Sequence, residues 1–332
     1  MTRYAGCCWI LLSDMYDFCD VVGNGSIIKS IKAAVRHGHV GHAYIFDGPA
    51  GVGKKLIALA FAKALLCTSA VDSDGGACGL CRSCKVLEAG SHPDVIFVRR
   101  AKKSLGVDEV REQIVGSVNL MPYSGTRRVF IIEDADVMTV QAQNALLKTL
   151  EDGPKHAVFF LLSQNFNAFM PTVISRCVLY KIPPLSHGAV RDYLIGAGVD
   201  FNRAQELARH AAGSIGRGVA IARDEGFAAL HKTMTELARD VDGMEVPAIF
   251  EAAKALESHK DRIGEALDML CLYYRDVLVE KCMGQEAETH YIKENVRKIR
   301  IIEEARRKLN GNCNFLLTME VMLLHLAGRG AA

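Results

Sequence analysis

The feature that most constrains this chain is Gly48-Pro49-Ala50-Gly51-Val52-Gly53-Lys54-Lys55, a phosphate-binding loop complete except for its last residue. The pattern G-x-x-x-x-G-K-[ST] wraps backbone N–H groups around phosphates, sends a lysine to the β and γ oxygens, and ends in a hydroxyl that ligates Mg²⁺. Here Lys55 stands at the hydroxyl position. A second cation there can still attract phosphate, but it removes an oxygen from the metal's ligand shell and weakens hydrolysis. Both flanks fit the loop. Ala43-Tyr44-Ile45-Phe46 precedes it as a short apolar run, and Leu56 to Leu66 follows as an almost wholly apolar helical stretch. Strand, glycine loop and buried helix are the expected order of a parallel α/β sheet.

With 332 residues, half of them hydrophobic, the chain can bury a large core and divide into two or three domains. A formal net charge of +2 gives no global field toward nucleic acid or anionic lipid, so any DNA contact must be local. No apolar run approaches the length that spans a bilayer, and no membrane partner is expected. Residues Met1 to Leu12 faintly imitate a signal peptide, but the apolar run is brief and lacks a small-x-small cleavage site. The expectation is a natural start at Met15 and a cytoplasmic protein.

Four of the eleven cysteines are grouped: Cys67, Cys78, Cys81 and Cys84 form C-x₁₀-C-x₂-C-x₂-C, with Gly75, Gly76 and Gly79 among them. Two-residue gaps let thiolates converge on one tetrahedral ion at about 2.3 Å, and four sulfurs with no open position describe a structural zinc site. Disulfides and an iron–sulfur cluster are the other readings; a reducing compartment disfavours the first, and nothing else in the chain offers a redox partner for the second. A zinc insert over residues 67–84 would staple the chain directly after the loop's helix.

Further along, Val95 to Val98 reads as a strand and Val107 to Leu120 as a helix. Val129-Phe130-Ile131-Ile132-Glu133-Asp134 then reads as a buried parallel strand delivering two carboxylates to its carboxyl edge, the Walker B position. The first acid of such a pair normally holds Mg²⁺, and the second orients the attacking water. The usual Asp-Glu order is inverted here, a displacement of roughly one methylene that matters when reacting groups must meet within about an ångström.

Gln143-Asn144-Ala145-Leu146-Leu147-Lys148-Thr149-Leu150-Glu151-Asp152-Gly153-Pro154 closes a helix, Val158 to Leu162 is another strand followed by Ser163, Gln164 and Asn165, and Pro171-Thr172-Val173-Ile174-Ser175-Arg176-Cys177 comes after. With Val21-Val22-Gly23, His42-Ala43-Tyr44, the cysteine cluster, Gly213-Ser214-Ile215-Gly216-Arg217 and a tail carrying Asn314 and Leu323-Leu324, this order resembles bacterial clamp loader ATPases of the AAA+ class, most closely their delta-prime branch.

The resemblance implies an α/β fold: an AAA+ P-loop domain over 1–182, a helical lid over 183–222, and an all-α collar over 223–332. It implies an arginine finger at Arg176, reaching into a neighbour's ATP site in trans. Ser163, with Asn165 as alternative, matches the polar sensor; Arg217 matches the second-sensor arginine; Val22 and Gly23 match the segment lying against adenine. The implied ligands are Zn²⁺ and ATP or ADP, with Mg²⁺ in doubt. The implied partners are gamma/tau and delta subunits in a hetero-pentamer, with the sliding clamp and primed DNA reached through the complex, a component of DNA polymerase III. Lys148 lies on the helix that faces the central chamber in such assemblies. Lys102-Lys103, Arg127-Arg128, Lys298 with Arg300, and Arg306-Arg307-Lys308 read as solvated basic faces. An ATP-hydrolysing gamma/tau-type subunit is the alternative, permitted by Lys54 and opposed by Lys55 and the inverted acids. A P-loop kinase of small nucleotides, a further alternative, would not need the zinc insert or the Ser175-Arg176-Cys177 triplet.

Overall fold

The computed structural model describes residues 16–69, 75–100, 104–283, 289–311 and 313–329. The expected start at Met15, the apolar run before it and Lys102-Lys103 lie outside the described residues. The chain forms two compact units, one ending at Val219 and the other beginning at Ala220.

In the first unit, helix α1 (Gly25–Arg36) leads to strand β1 (Ala43–Asp47), the phosphate-binding loop and helix α2 (Lys54–Leu66). Helix α3 (Arg82–Glu88), strand β2 (Val95–Val98), helix α4 (Val107–Val110), strand β3 (Arg128–Ile132), helix α5 (Val140–Asp152) and strand β4 (Ala157–Ser163) follow. The short helix α6 (Pro171–Ile174) then leads into strand β5 (Val178–Lys181). All pairings are parallel, in the order β2-β3-β4-β1-β5. One strand, β4, therefore separates the strand feeding the loop from the strand carrying the acid pair.

Side chains of successive residues leave a strand on opposite faces, so each strand stocks two cores. Tyr44, Phe46, Val129, Ile131, Val158 and Phe160 pack with α2 on one face. Ala43, Ile45, Phe130, Ile132, Phe159 and Leu161 pack with α4 and α5 on the other. Phe61 of α2 meets Phe160 at 4.9 Å and Tyr44 edge-on at 5.0 Å between ring centroids. Nine of the thirteen residues of α2 are buried, including Lys63 at 4% exposure. That ammonium is satisfied by Glu88 of α3 at 2.7 Å and Asp17 at 3.6 Å, the pairing a buried cation needs.

The helix expected from Val107 to Leu120 is shorter. After α4 the chain winds through a wider turn at Arg111–Val115, where the N–H of Gly116 bonds to the carbonyl of Arg111 at 2.9 Å. The Ser117 hydroxyl then donates to Gln113 O at 2.9 Å, a side-chain bond to the preceding turn.

Beyond β5 the first unit continues with α7 (His187–Gly196), α8 (Phe201–His210) and the start of α9 (Ile215–Arg223). The second unit is all-helical: α10 (Glu225–Asp240), α11 (Val246–Ala255), α12 (Ile263–Met283), α13 (Thr289–Asn310) and α14 (Phe315–Leu326). Leu267, Leu270 and Tyr274, at helical spacing on α12, are buried, as are Leu230, Met234, Ile302, Met319 and Leu323. Lys298, read from sequence as part of a solvated face, is instead 4% exposed. Its ammonium donates to both carboxylate oxygens of Asp242 at 2.5 and 2.7 Å and lies over the Tyr274 ring at 5.2 Å. Among the described residues no helix is long and apolar enough to cross a membrane.

Candidate functional site

A parallel sheet binds ligands outside the carboxyl ends of its strands, and here that edge opens into a cavity of about 550 Å³. Its walls include Val22 and Asp20 near the N-terminus, Gly51 to Leu56 of the loop and α2, the acids Glu133 and Asp134 after β3, Gln164 after β4, and Ile215 and Gly216 of α9. The volume lies within the usual range for small-ligand sites.

The loop glycines are fixed by contact. A Cβ on Gly48 would stand 2.3 Å from Ile182 O, and one on Gly51 would stand 2.4 Å from Ser214 Oγ, at a φ of +71° that L side chains rarely adopt. Gly216 donates its N–H to Gly51 O at 3.0 Å, so the loop and the first turn of α9 touch backbone to backbone. Gly53, at φ +98°, opens α2.

Lys54 at the head of α2 donates to the loop carbonyls of Gly48 at 2.5 Å and Pro49 at 2.7 Å, and burial lowers its pKa against the pull of Asp136, Asp47 and Asp134. Lys55 reaches the acid strand instead. Its ammonium lies 2.8 Å from Glu133 Oε1 and 5.2 Å from the centre of the Phe97 ring. Arg99 approaches the other oxygen of Glu133 at 3.5 Å, and Arg100 approaches Asp134 at 3.3 Å. Both acids thus face cations from the chain itself, which sequence spacing did not suggest. A Mg²⁺ ion does not fit this arrangement: an ammonium has no lone pair to offer a metal, and the carboxylate that would hold the ion already carries a counter-charge.

Of the residues matched to sensors, Ser163 is 0% exposed and does not line the cavity. Its hydroxyl donates to Asp47 at 3.1 Å and accepts the N–H of Asn165 at 3.0 Å. Asn165 caps the turn after it, while Leu162 of β4 and Gln164 just beyond it reach the cavity wall. Arg217 donates its backbone N–H to Ser214 Oγ at 3.0 Å on the turn packed against the loop. Gly23 is in a left-handed conformation at φ +72°, next to Leu185.

Arg176 lies elsewhere. It follows α6 and precedes β5, whose register sets Val178 opposite Tyr44 at the start of β1 and Lys181 opposite Asp47 at its end. The guanidinium is therefore at the amino edge of the sheet, away from the cavity by the length of β1, roughly 15 Å at about 3.3 Å per residue. It pairs with Glu151 of α5 and donates to Thr172 O at 2.8 Å.

The four grouped cysteines converge, with all four sulfurs within 4.8 Å of one another and Cys67 to Cys81 at 4.0 Å. Sulfurs around one zinc at about 2.3 Å would stand roughly 3.8 Å apart, so the donor set fits that ion. The loop backbone is arranged for thiolates: N–H groups of Leu80 and Cys81 point at Cys78 Sγ at 3.4 and 3.3 Å, and that of Cys84 at Cys81 Sγ at 3.5 Å. Burial raises the pKa of Cys67 and Cys84, whereas the N–H groups of Leu80 and Cys81 lower that of Cys78. For Cys81, burial is outweighed by hydrogen bonds from Cys84 and Thr68, which bring it down to about 5.

A phosphate-binding loop on β1, an acid strand one position removed and a following helical segment closing over the loop make the first unit a P-loop domain of the AAA+ class, and the second unit is all-α. Comparison with known proteins narrows this. A family model described as DNA polymerase III, delta subunit, matches residues 23–186. The DNA polymerase III delta-prime subunit of Bacillus subtilis is 28% identical over 319 residues, 90% of this chain and 95% of its own. That of Pseudomonas aeruginosa is 40% identical over 158 residues, 47% of each chain. The tau subunit of Bacillus subtilis is 38% identical over 174 residues, 52% of this chain and 30% of its own. A solved gamma-subunit-related protein of Thermotoga maritima is 19% identical over 92% of this chain and 98% of its own, with a TM-score of 0.48. These matches support a place for the chain in the delta-prime clamp loader family of DNA polymerase III.

Proposed function

We propose that this chain is a delta-prime-like subunit of the DNA polymerase III clamp loader, working in the cytoplasm, which helps place the sliding clamp on primed DNA. Its own part is to supply Arg176 in trans to the ATP site of a neighbouring gamma/tau-type subunit. The observation that carries this reading is the placement of Arg176 at the amino edge of the sheet, a sheet's length from the chain's own phosphate-binding loop. A guanidinium there serves a triphosphate only if another molecule presents one, and rigid placement is all that such a group requires.

In this reading Zn²⁺ on Cys67, Cys78, Cys81 and Cys84 staples the insert to α2 and α3. Residues 183–222 act as the lid over the cavity, with Val22, Gly23 and Arg217 about the nucleotide and Ser163 acting from behind the cavity wall, and Glu133 and Asp134 form a degenerate acid pair. Residues 223–332 join a collar with the other subunits of the pentamer. Val246 and Phe250, one turn apart on α11, and Leu317 on α14 are exposed apolar residues suited to such a contact. Lys148 is exposed on α5, as a DNA-facing role requires.

The test is ATP turnover by the reconstituted assembly. Turnover is expected only in the mixture and is lost with Arg176→Ala; brisk hydrolysis by the isolated chain would defeat the proposal. The second reading, an ATP-hydrolysing gamma/tau-type subunit, draws support from Lys54 and the open cavity, and the same assay separates the two.

A further inference from the structure

The cavity described above has a loop lysine in place, an intact glycine turn and enough room for a small ligand, yet its metal position does not accept a metal. We propose that the pocket takes a nucleoside polyphosphate without a divalent ion, with the ammonium of Lys55 standing where magnesium would bridge Glu133 and the phosphates. The inference rests on reading the cavity as a nucleotide site.

In a working P-loop site, the hydroxyl at the end of the motif and the first Walker B acid hold the ion, and the ion neutralises the β and γ oxygens. Here each of those contributions is altered in a mutually consistent way. The hydroxyl is replaced by Lys55, and the acid is Glu133, whose longer side chain reaches that same lysine at 2.8 Å. Phe97 on β2 sits beneath the pair, within 5.2 Å of the Lys55 ammonium and 5.3 Å of the Arg99 guanidinium. Arg99 closes on the remaining Glu133 oxygen at 3.5 Å. An oxygen-seeking dication finds a carboxylate already shared by two cations, and would itself lie beside an ammonium.

Phosphate oxygens meet the opposite situation. The loop N–H groups at the N-terminus of α2 face the cavity as an anion site, and Lys54 and Lys55 add two formal charges within one turn. Lys54 is already folded against the loop at Gly48 O and Pro49 O, so a phosphate drawn into the loop competes for a donor that is in position. The role of an ion without ligand exchange suits a site that binds and does not turn over. No water is activated, because no metal polarises the γ-phosphate.

The experiment is equilibrium binding of ATP and of ADP to the full isolated chain by calorimetry, once with excess Mg²⁺ and once with EDTA, the zinc content and thermal midpoint of the chain being verified equal in the two conditions. Less than a threefold difference in Kd between the two conditions is expected for the natural chain. Lys55→Thr, which restores the hydroxyl, should weaken binding in EDTA at least tenfold and recover affinity with Mg²⁺. Lys55→Met keeps the bulk without the charge and should weaken binding in EDTA to a similar degree, with its thermal unfolding matched to the parent to show that it folds. Binding by the natural chain that is threefold or more tighter with Mg²⁺, or EDTA affinities unchanged in both variants, overturns the inference and leaves the nucleotide reading standing. No binding in either condition overturns the nucleotide reading together with the inference, while the Arg176 assay, read only in the assembled mixture, is untouched.

Discussion

The carboxylate of Glu151, in the last turn of α5, clasps the guanidinium of Arg176 at the exit of α6. Nη1 of the same arginine is tied to Thr172 O at 2.8 Å and Ser175 Oγ at 3.3 Å, so the fork is oriented by two helices before any neighbour arrives. A half-exposed ion pair of this kind adds little to folding, on the order of 0–1 kcal/mol. What it supplies is a fixed direction.

Glu151→Gln should therefore separate stability from function. The thermal midpoint of the isolated chain is expected to move by less than about 2 °C, while ATP turnover of the assembled mixture falls by roughly tenfold through loss of orientation. Undiminished turnover in the mixture would show that Glu151 plays no positioning part.

Elemental analysis of chain purified without chelator should find about one zinc per molecule, and Cys81→Ser should abolish it. Because the insert is anchored to α2 through the buried Lys63–Glu88 pair, losing the metal loosens α3 against the P-loop helix. A loss of about 2 kcal/mol would lower the melting point by roughly 4–8 °C. Metal-free protein with an unchanged melting point would contradict this.

The buried lysine of the second unit should respond asymmetrically. Asp242→Ala leaves the Lys298 ammonium with Glu294 at 4.0 Å and the Tyr274 ring alone and should cost about 1–3 kcal/mol in urea unfolding, the aspartate's own exposure moderating the loss. Lys298→Met removes the charge and keeps the stem, and should be close to neutral. Equal losses for the two would remove the desolvation argument.

Burial pushes the Cys177 thiol up from 9.0 to about 12. On unfolding the thiol returns to its ordinary range, so between about pH 9 and pH 12 the unfolded chain has lost a proton that the folded chain keeps. The contribution is fully present below pH 9 and is lost as the pH rises toward 12. Urea unfolding at pH 8 and pH 10 should show natural chain losing stability relative to Cys177→Ala over that step; parallel curves would refute it.

Much of the first unit was legible because its signals are local. The loop, the apolar strand before it and the apolar helix after it are contiguous, and the cysteine spacing alone brought four sulfurs together. Long-range relations were not legible. Nothing in the spacing of Gly51 and Gly216 announces that their backbones touch, since that contact depends on where α9 begins after seven intervening α-helices. The pairing of Lys55 with Glu133 was hidden for the same reason, although both departures from the motif had been visible separately. Lys298 was misread because charge in sequence carries no sign of burial; the facing Asp242, with Glu294 and the Tyr274 ring, makes its burial tolerable. The α-helix after Val107 gave way to a wider turn at Arg111–Val115, a local change that apolar periodicity does not report.

β1 runs for five residues between a cavity at one end and the level of Arg176 at the other. In an assembly built on the proposed plan, that strand would serve as a gauge rod: its length, and no hinge or loop, would fix the stride from one catalytic station to the next. Inserting or deleting residues in it would put the ring out of step even if each fold survived.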